Sequence, residues 1–195
     1  MIGFNTDLET QIKQLEKILS LSPIYDILRK ASGLGLENYY VGAGCIAQTV
    51  WNYHMGLELA HGISDIDLVY YDNSALTGSA EELMAEKARS AIGLCGFEID
   101  VNNQARVHLW YKDHFGYDIH PYKSVEDAIN SWPTTATAVG VRLENGELKV
   151  YAPFGLNDLF GMVVRANKKQ ITEEIYANKA DKWKAKWPKL TIIPW

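Results

Sequence analysis

The segment Ser64-Asp65-Ile66-Asp67-Leu68-Val69-Tyr70 constrains the fold more than any other part of the chain. Side chains alternate across a strand, so Asp65 and Asp67 share one face while Ile66 and Leu68 share the other. The apolar face needs a packing layer; the acidic face needs water or a cation. Two carboxylates two residues apart on a strand lie about 7 Å from each other and repel. A divalent cation between them removes that cost. Mg²⁺ suits the place because it takes one or two carboxylates and leaves positions for phosphate oxygens and water. A strand end with both acids in solvent explains the same residues, so the pair gains meaning from its surroundings.

Upstream, Val41-Gly42-Ala43-Gly44-Cys45 reads as a strand, a tight turn and a helix start. The free N–H groups of such a helix N-terminus form an anion site. No Gly-Lys-Ser/Thr follows, which excludes a Walker loop, and the third glycine of a dinucleotide fingerprint is missing. Small residues there also serve simply to let backbones pass closely. Downstream, Phe97-Glu98-Ile99-Asp100-Val101 reads as another strand. Its Asp100 is a candidate third carboxylate, acting as a base or as a ligand to a second metal. A solvated strand face is the alternative.

The remaining pattern predicts helices over 7–31, reset at Ser22-Pro23, and over 45–55, 81–93, 123–132, 154–165 and 171–187. Strands are expected at 38–41, 63–71, 97–101 and 107–111, with Ala136–Leu143 and Leu148–Tyr151 flanking the hairpin signal Asn145-Gly146. Early alternation of helix and strand followed by a hairpin predicts an α+β (mixed α/β) domain with a mixed sheet flanked by helices. The expected division is an N-terminal helical layer (1–36), a core (37–165) and a C-terminal basic amphipathic helix packed on it (166–195).

A chain of 195 residues, 47% hydrophobic and 22% charged, buries a full core without staples and is neither disordered nor low in complexity. No apolar run approaches the roughly 20 residues of a membrane span, and the first residues lack the pattern of a signal peptide. Two cysteines, Cys45 and Cys95, suit a reducing cytoplasm. The net charge of −5 argues against a surface that grips nucleic acid everywhere. That average conceals a division. Residues 165–195 hold 8 basic and 3 acidic side chains, net +5, and the preceding 164 residues hold 11 and 21, net −10. The tail's lysines read either as a solvated helix face, the favoured reading, or as a basic wall opposite the acids.

The ordered glycine turn, Asp-Ile-Asp and later strand carboxylate resemble the DNA polymerase β-like nucleotidyltransferase superfamily. More narrowly, the chain is similar to a bacterial nucleotidyltransferase-like family related to the head domain of CCA-adding enzymes. The resemblance runs from about Tyr40 to the C-terminus. It rests on Gly42 to Trp51, Ser64 to Leu68, Asn103-Gln104-Ala105-Arg106-Val107-His108, Trp132 to Ala138 and Ala152 to Phe160. It implies a nucleotidyltransferase fold, Mg²⁺ as cofactor and a nucleoside triphosphate as substrate, with an unassigned acceptor. Asp65, Asp67 and Asp100 would be catalytic and metal-binding; Gly42, Gly44, Cys45, Gln104 and Arg106 would bind nucleotide.

Three departures go with it. Gly44 and Asp65 lie 21 positions apart, so Met55 to Gly62 reads as an insertion. Cys45 stands where superfamily members often carry Ser, and Ala47-Gln48 where CCA-adding head domains have Arg and Asp. Cys45, Ala47 and Gln48 motivate a second reading, an inactive nucleotide- or RNA-binding module on the same fold.

Other residues have bland readings. For Asn103-Gln104-Ala105-Arg106 the alternative to a triphosphate, base or ribose contact is a loop whose amides close their own turns. Arg142 and Arg165 are expected in structural or surface ion pairs, and Asp158 as a helix cap. His108, His114 and His120 match no zinc pattern and read as strand and loop residues. Cys45 reads as a small packing residue, with no base beside it.

Overall fold

The computed structural model describes residues 2–195. Asp7 caps α1 (Leu8–Ser20) by accepting the Thr10 N–H at 2.9 Å, and Pro23 opens α2 (Pro23–Ser32) at a position where its missing N–H costs nothing. There follow β1 (Tyr39–Gly42), α3 (Gly44–Met55), β2 (Asp65–Tyr70), α4 (Gly78–Ile92), β3 (Glu98–Asn103), α5 (Val107–Phe115) and α6 (Val125–Ile129). The chain continues through β4 (Gly140–Glu144), β5 (Glu147–Tyr151), α7 (Asn157–Phe160), β6 (Val163–Val164), α8 (Glu173–Lys186) and β7 (Thr191–Ile192). Among the described residues no helix is long and apolar enough to cross a membrane.

Five strands form one mixed sheet in the order β3-β2-β1-β4-β5, with β2 and β3 parallel and the other pairs antiparallel; β6 and β7 form a small parallel pair. Asn145 and Gly146 join β4 to β5 with φ of +53° and +82°, the two left-handed residues that a tight hairpin turn requires. The alternation in β2 has the expected consequence. Ile66, Leu68 and Tyr70 enter the main core with Tyr39, Val41, Ile99 and Val101, beneath α1 to α4. The opposite face is apolar only at one end, where Tyr40 and Val69 pack against Val125 and Ile129 of α6. Beyond that cluster it carries Asp67 and Asp100.

Two expected elements differ. Residues 107–111 begin a helix rather than a strand. Val107 and Tyr111 are buried one helical turn apart, a spacing that alternation over five residues imitates. The turn into α5 is built by Asn103, whose Oδ1 accepts the Asp72 and Ala105 N–H groups at 3.0 and 3.1 Å. His108 and His114 therefore sit on a helix. The stretch 154–165 holds only the four-residue α7. Gly161 packs where a Cβ would lie 2.7 Å from Phe4, Met162 takes φ of +54°, and the chain turns into β6. Asp158 is not a cap. Its carboxylate accepts from Thr135 Oγ1 at 2.6 Å and pairs with Arg165 at 2.9 Å. Arg165 thus has its expected ion pair, while Arg142 lies over the Tyr40 ring and 3.8 Å from Glu144.

Candidate functional site

Sheet register assembles the site. Gly140 pairs with Gly42, Gly42 with Asp67, and Asp67 with Asp100, so one row crosses β4, β1, β2 and β3. With strands about 4.8 Å apart, the glycine turn and both carboxylates become neighbours. Asp65 lies on the same face one pleat away, its carboxylate accepting from the Ser64 hydroxyl. Asp65 and Asp100 are exposed and Asp67 is half-buried. Burial first, then the charges of Asp65 and Asp100, push the Asp67 carboxyl up to about 7, and Lys179 offsets part of this.

The two glycines of the turn do different things. A Cβ on Gly42 would lie 2.6 Å from the Val139 carbonyl and 2.8 Å from the Trp132 ring, so close backbone approach requires glycine there. A Cβ on Gly44 would meet only the end of the Gln48 side chain, at 2.9 Å. Gly44 is the first residue of α3, whose N-terminus has no side-chain cap and faces the cleft. Between them Ala43 takes φ of +59° and ψ of −129°, a backbone suited to glycine. Such strain costs about 1–3 kcal/mol in a residue with a Cβ, against ~0.4–1 kcal/mol of extra unfolded-chain entropy for glycine. Ala43→Gly is expected to raise unfolding free energy by about 1 kcal/mol in urea titrations; a loss of stability would contradict the strain.

Cys45 is buried, its Sγ donating to the Gly42 carbonyl at 3.0 Å, and burial first of all pushes its thiol pKa well up. That is a packing role and not a nucleophile's; only its backbone N–H serves the helix terminus. Gln104 lies beside the acidic face. Arg106 does not reach it. Its guanidinium pairs with Glu81 of α4 and donates from Nε to the Leu76 carbonyl at 2.9 Å, so the expected nucleotide contact gives way to a structural one.

Opposite the acids stands the basic wall that was the less favoured of the two sequence readings. Lys179, Lys182 and Lys186 of α8 line a cleft of about 470 Å³ with Gly44, Gln48, Asp65, Asp67 and Trp132. Helical spacing of three and four residues puts the three ammonium groups on one face, a signal present in the sequence. The basic wall, and not solely a solvated face, is therefore formed. The helix is anchored by Trp183 and Trp187, which pack edge-on against Trp51 of α3 at 5.6 Å between ring centres. Trp187 Nε1 donates to Asn52 Oδ1 at 2.7 Å. The Asn52 amide in turn donates to the Leu59 and His61 carbonyls at 3.1 and 2.8 Å, within the segment read as an insertion.

Among the described residues no three His, Cys, Asp or Glu side chains are gathered as a ready metal cage. The donor set instead offers a repelling pair with a third carboxylate beside it. This suits Mg²⁺, which is held by one or two carboxylates with substrate phosphates completing its shell.

Comparison with known proteins agrees with this architecture. A family profile described as nucleotidyltransferase matches residues 29–192. A protein whose NMR structure is described as revealing a CCA-adding enzyme head domain superposes with a TM-score of 0.76 at 25% identity, over 94% of this chain and 96% of that one. Comparison with curated proteins gives no significant match. The profile runs from α2 to the last strand and the fold is shared over nearly the whole chain: this protein belongs to the nucleotidyltransferase family.

Proposed function

We propose that the protein is a Mg²⁺-dependent nucleotidyltransferase, moving a nucleoside monophosphate from a nucleoside triphosphate to an acceptor hydroxyl and releasing pyrophosphate. The observation that carries this reading is the row Gly42, Asp67, Asp100, with Asp65 on the same face. It sets an anion-binding helix terminus beside carboxylates that repel one another. Asp65 and Asp67 would hold the metal, with Asp100 as a further ligand or as the base. Bound Mg²⁺ would neutralise charge developing on the phosphates.

The chain's own residues do the rest. The N–H groups of Gly44 and Cys45 point a helix terminus at the triphosphate, while Lys179, Lys182 and Lys186 supply positive charge from across the cleft. Asp100, exposed at the edge strand, accepts the proton of the attacking hydroxyl. Two cysteines, Cys45 and Cys95, both free, fit a cytoplasmic setting.

A second reading, binding without turnover, rests on the uncollected carboxylates and on Cys45 at the helix start. Backbone amide shifts on adding Mg²⁺-ATP, with no incorporation of labelled nucleotide across diverse acceptors, would favour it. The primary reading expects shifts at Gly42–Ile46 together with incorporation. Gly44→Ala should fold normally yet lose at least about tenfold in Mg²⁺-ATP affinity, because the methyl occupies the phosphate cradle and a lost charge-assisted hydrogen bond is worth about 1.5–3 kcal/mol. Unchanged affinity in that variant would remove the glycine turn from the site.

A further inference from the structure

We propose that the acceptor is a small, phosphate-free ring compound bearing hydroxyls, bound in the cavity on the Asp100 side of the acidic row. The inference rests on the nucleotidyl-transfer reading above and deepens it. In the transfer, a bond forms between the acceptor oxygen and the α-phosphorus while the bond from that phosphorus to pyrophosphate breaks. The acceptor proton passes to Asp100, and pyrophosphate carries away the leaving electrons. Displacement of this kind is in line, so attacking and leaving oxygens occupy opposite sides of the phosphorus.

The leaving side is fixed by chemistry: pyrophosphate belongs with the helix terminus and the lysines, in the larger cleft. The attacking side is then the second cavity, of about 310 Å³, which shares Ala43, Asp67, Trp132 and Lys179 with the first and adds Asp100. That volume lies at the small-molecule end of ligand sites.

Its walls differ in kind from the lysine cleft. Trp110, Tyr111 and Phe115 of α5 line it together with Trp132. Tyr111 and Phe115 pack with ring centres 4.4 Å apart and planes tilted by 34°. Gln104 is buried, yet among the described residues its carboxamide makes only a long hydrogen bond, to the Asn102 carbonyl at 3.4 Å. That leaves the carboxamide free to exchange hydrogen bonds with a ligand hydroxyl. Among the described residues Lys179 is the single basic one lining this cavity, and its charge acts on Asp67. A nucleic-acid end would bring phosphates to a wall carrying two aspartates and one lysine, which opposes it. Aromatic side chains with the amides of Asn102, Gln104 and Gln170 suit a neutral ring that carries hydroxyls.

The test uses phenyl β-glucoside, which presents an aryl ring and a hydroxylated ring, and a twelve-nucleotide oligoadenylate as competitor class. Backbone amides of the full chain are followed while each is titrated, with and without Mg²⁺-ATP. The proposal expects millimolar phenyl β-glucoside to shift amides of Asn102–Gln104 and Trp110–Phe115. Trp110→Ala and Phe115→Ala should each weaken this at least tenfold while the shifts of Gly42–Ile46 with Mg²⁺-ATP persist, and Gln104→Leu should weaken it too. Persistence of those shifts also shows that a variant is folded. No glucoside-induced shifts, or stronger shifts at the same amides from oligoadenylate, overturn the proposal. Loss of the Mg²⁺-ATP response in the unmodified chain overturns the nucleotidyl-transfer reading instead.

Discussion

Asp67→Asn is expected to make the metal-free protein more stable at pH 8 and to abolish its response to Mg²⁺. In the folded chain the Asp67 carboxyl titrates at about 7, against 3.8 ordinarily, because burial and the neighbouring aspartates disfavour its charge. Between those two values the unfolded chain has released a proton that the folded chain keeps. Stability therefore falls as pH rises through this window, by about 4 kcal/mol once pH exceeds the folded value. Asn keeps the shape and carries no charge, so its unfolding free energy should lack this loss. Urea unfolding in chelator should give the two proteins similar stability near pH 4.5 and separate them by several kcal/mol at pH 8.

Mg²⁺ should then act on the unmodified protein alone. At about 100 times its dissociation constant, a ligand bound only to the folded state adds about 2.7 kcal/mol. Nucleotide transfer should drop by about 100- to 1,000-fold in the variant, the size of effect seen when one preorganised electrostatic partner is removed. If the variant is the less stable protein at pH 8 without metal, and Mg²⁺ stabilises both equally, Asp67 is an ordinary surface acid.

Trp187→Ala tests how the basic wall is held. Trp187 is fully buried against Trp51, and its indole N–H satisfies Asn52. Removing a buried Trp costs about 3–5 kcal/mol, part of which here is the unpaired Asn52 carbonyl. For a chain of this size that corresponds to a melting temperature lower by roughly 10 °C. Asn52 also holds the Leu59 and His61 carbonyls, and Gly62 packs against the Trp187 ring, so the approach to β2 loosens together with α8. Mg²⁺-ATP affinity should fall too, since Lys179, Lys182 and Lys186 ride on that helix.

Lys182→Ala separates the two effects. Exposed Lys182 should change stability by less than about 0.5 kcal/mol while still weakening ATP binding. Calorimetry and nucleotide titration on both variants distinguish anchoring from direct contact. An unchanged ATP affinity in Lys182→Ala would take α8 out of the phosphate site.

Local pattern determined much of this protein. The alternation of Ser64 to Tyr70 placed two aspartates on one face, and Asn145-Gly146 placed a hairpin. Asp7 and Ser124 started helices by hydrogen bonds within three residues. These features depend on neighbours in the chain, and periodicity reports neighbours. Short apolar runs were ambiguous for the same reason: Val107 and Tyr111 satisfy both a strand's alternation and a helix's turn, and only the Asn103 turn decides between them.

The functional arrangement depends on partners far apart in sequence. Nothing near Asp100 says that parallel pairing will set it opposite Asp67, and nothing near Lys179 says that it will face the acids. Arg106 illustrates the converse. Its place in a loop after a strand carboxylate suggested phosphate, but tertiary packing brought Glu81 within reach and used its charge. Sequence alone determined which positions carry carboxylates, ammonium groups and the small residues of a tight turn. Sheet register and the docking of α8 on Trp51 and Asn52 decided which of them meet, because those contacts are set by the burial of surfaces that no local pattern describes.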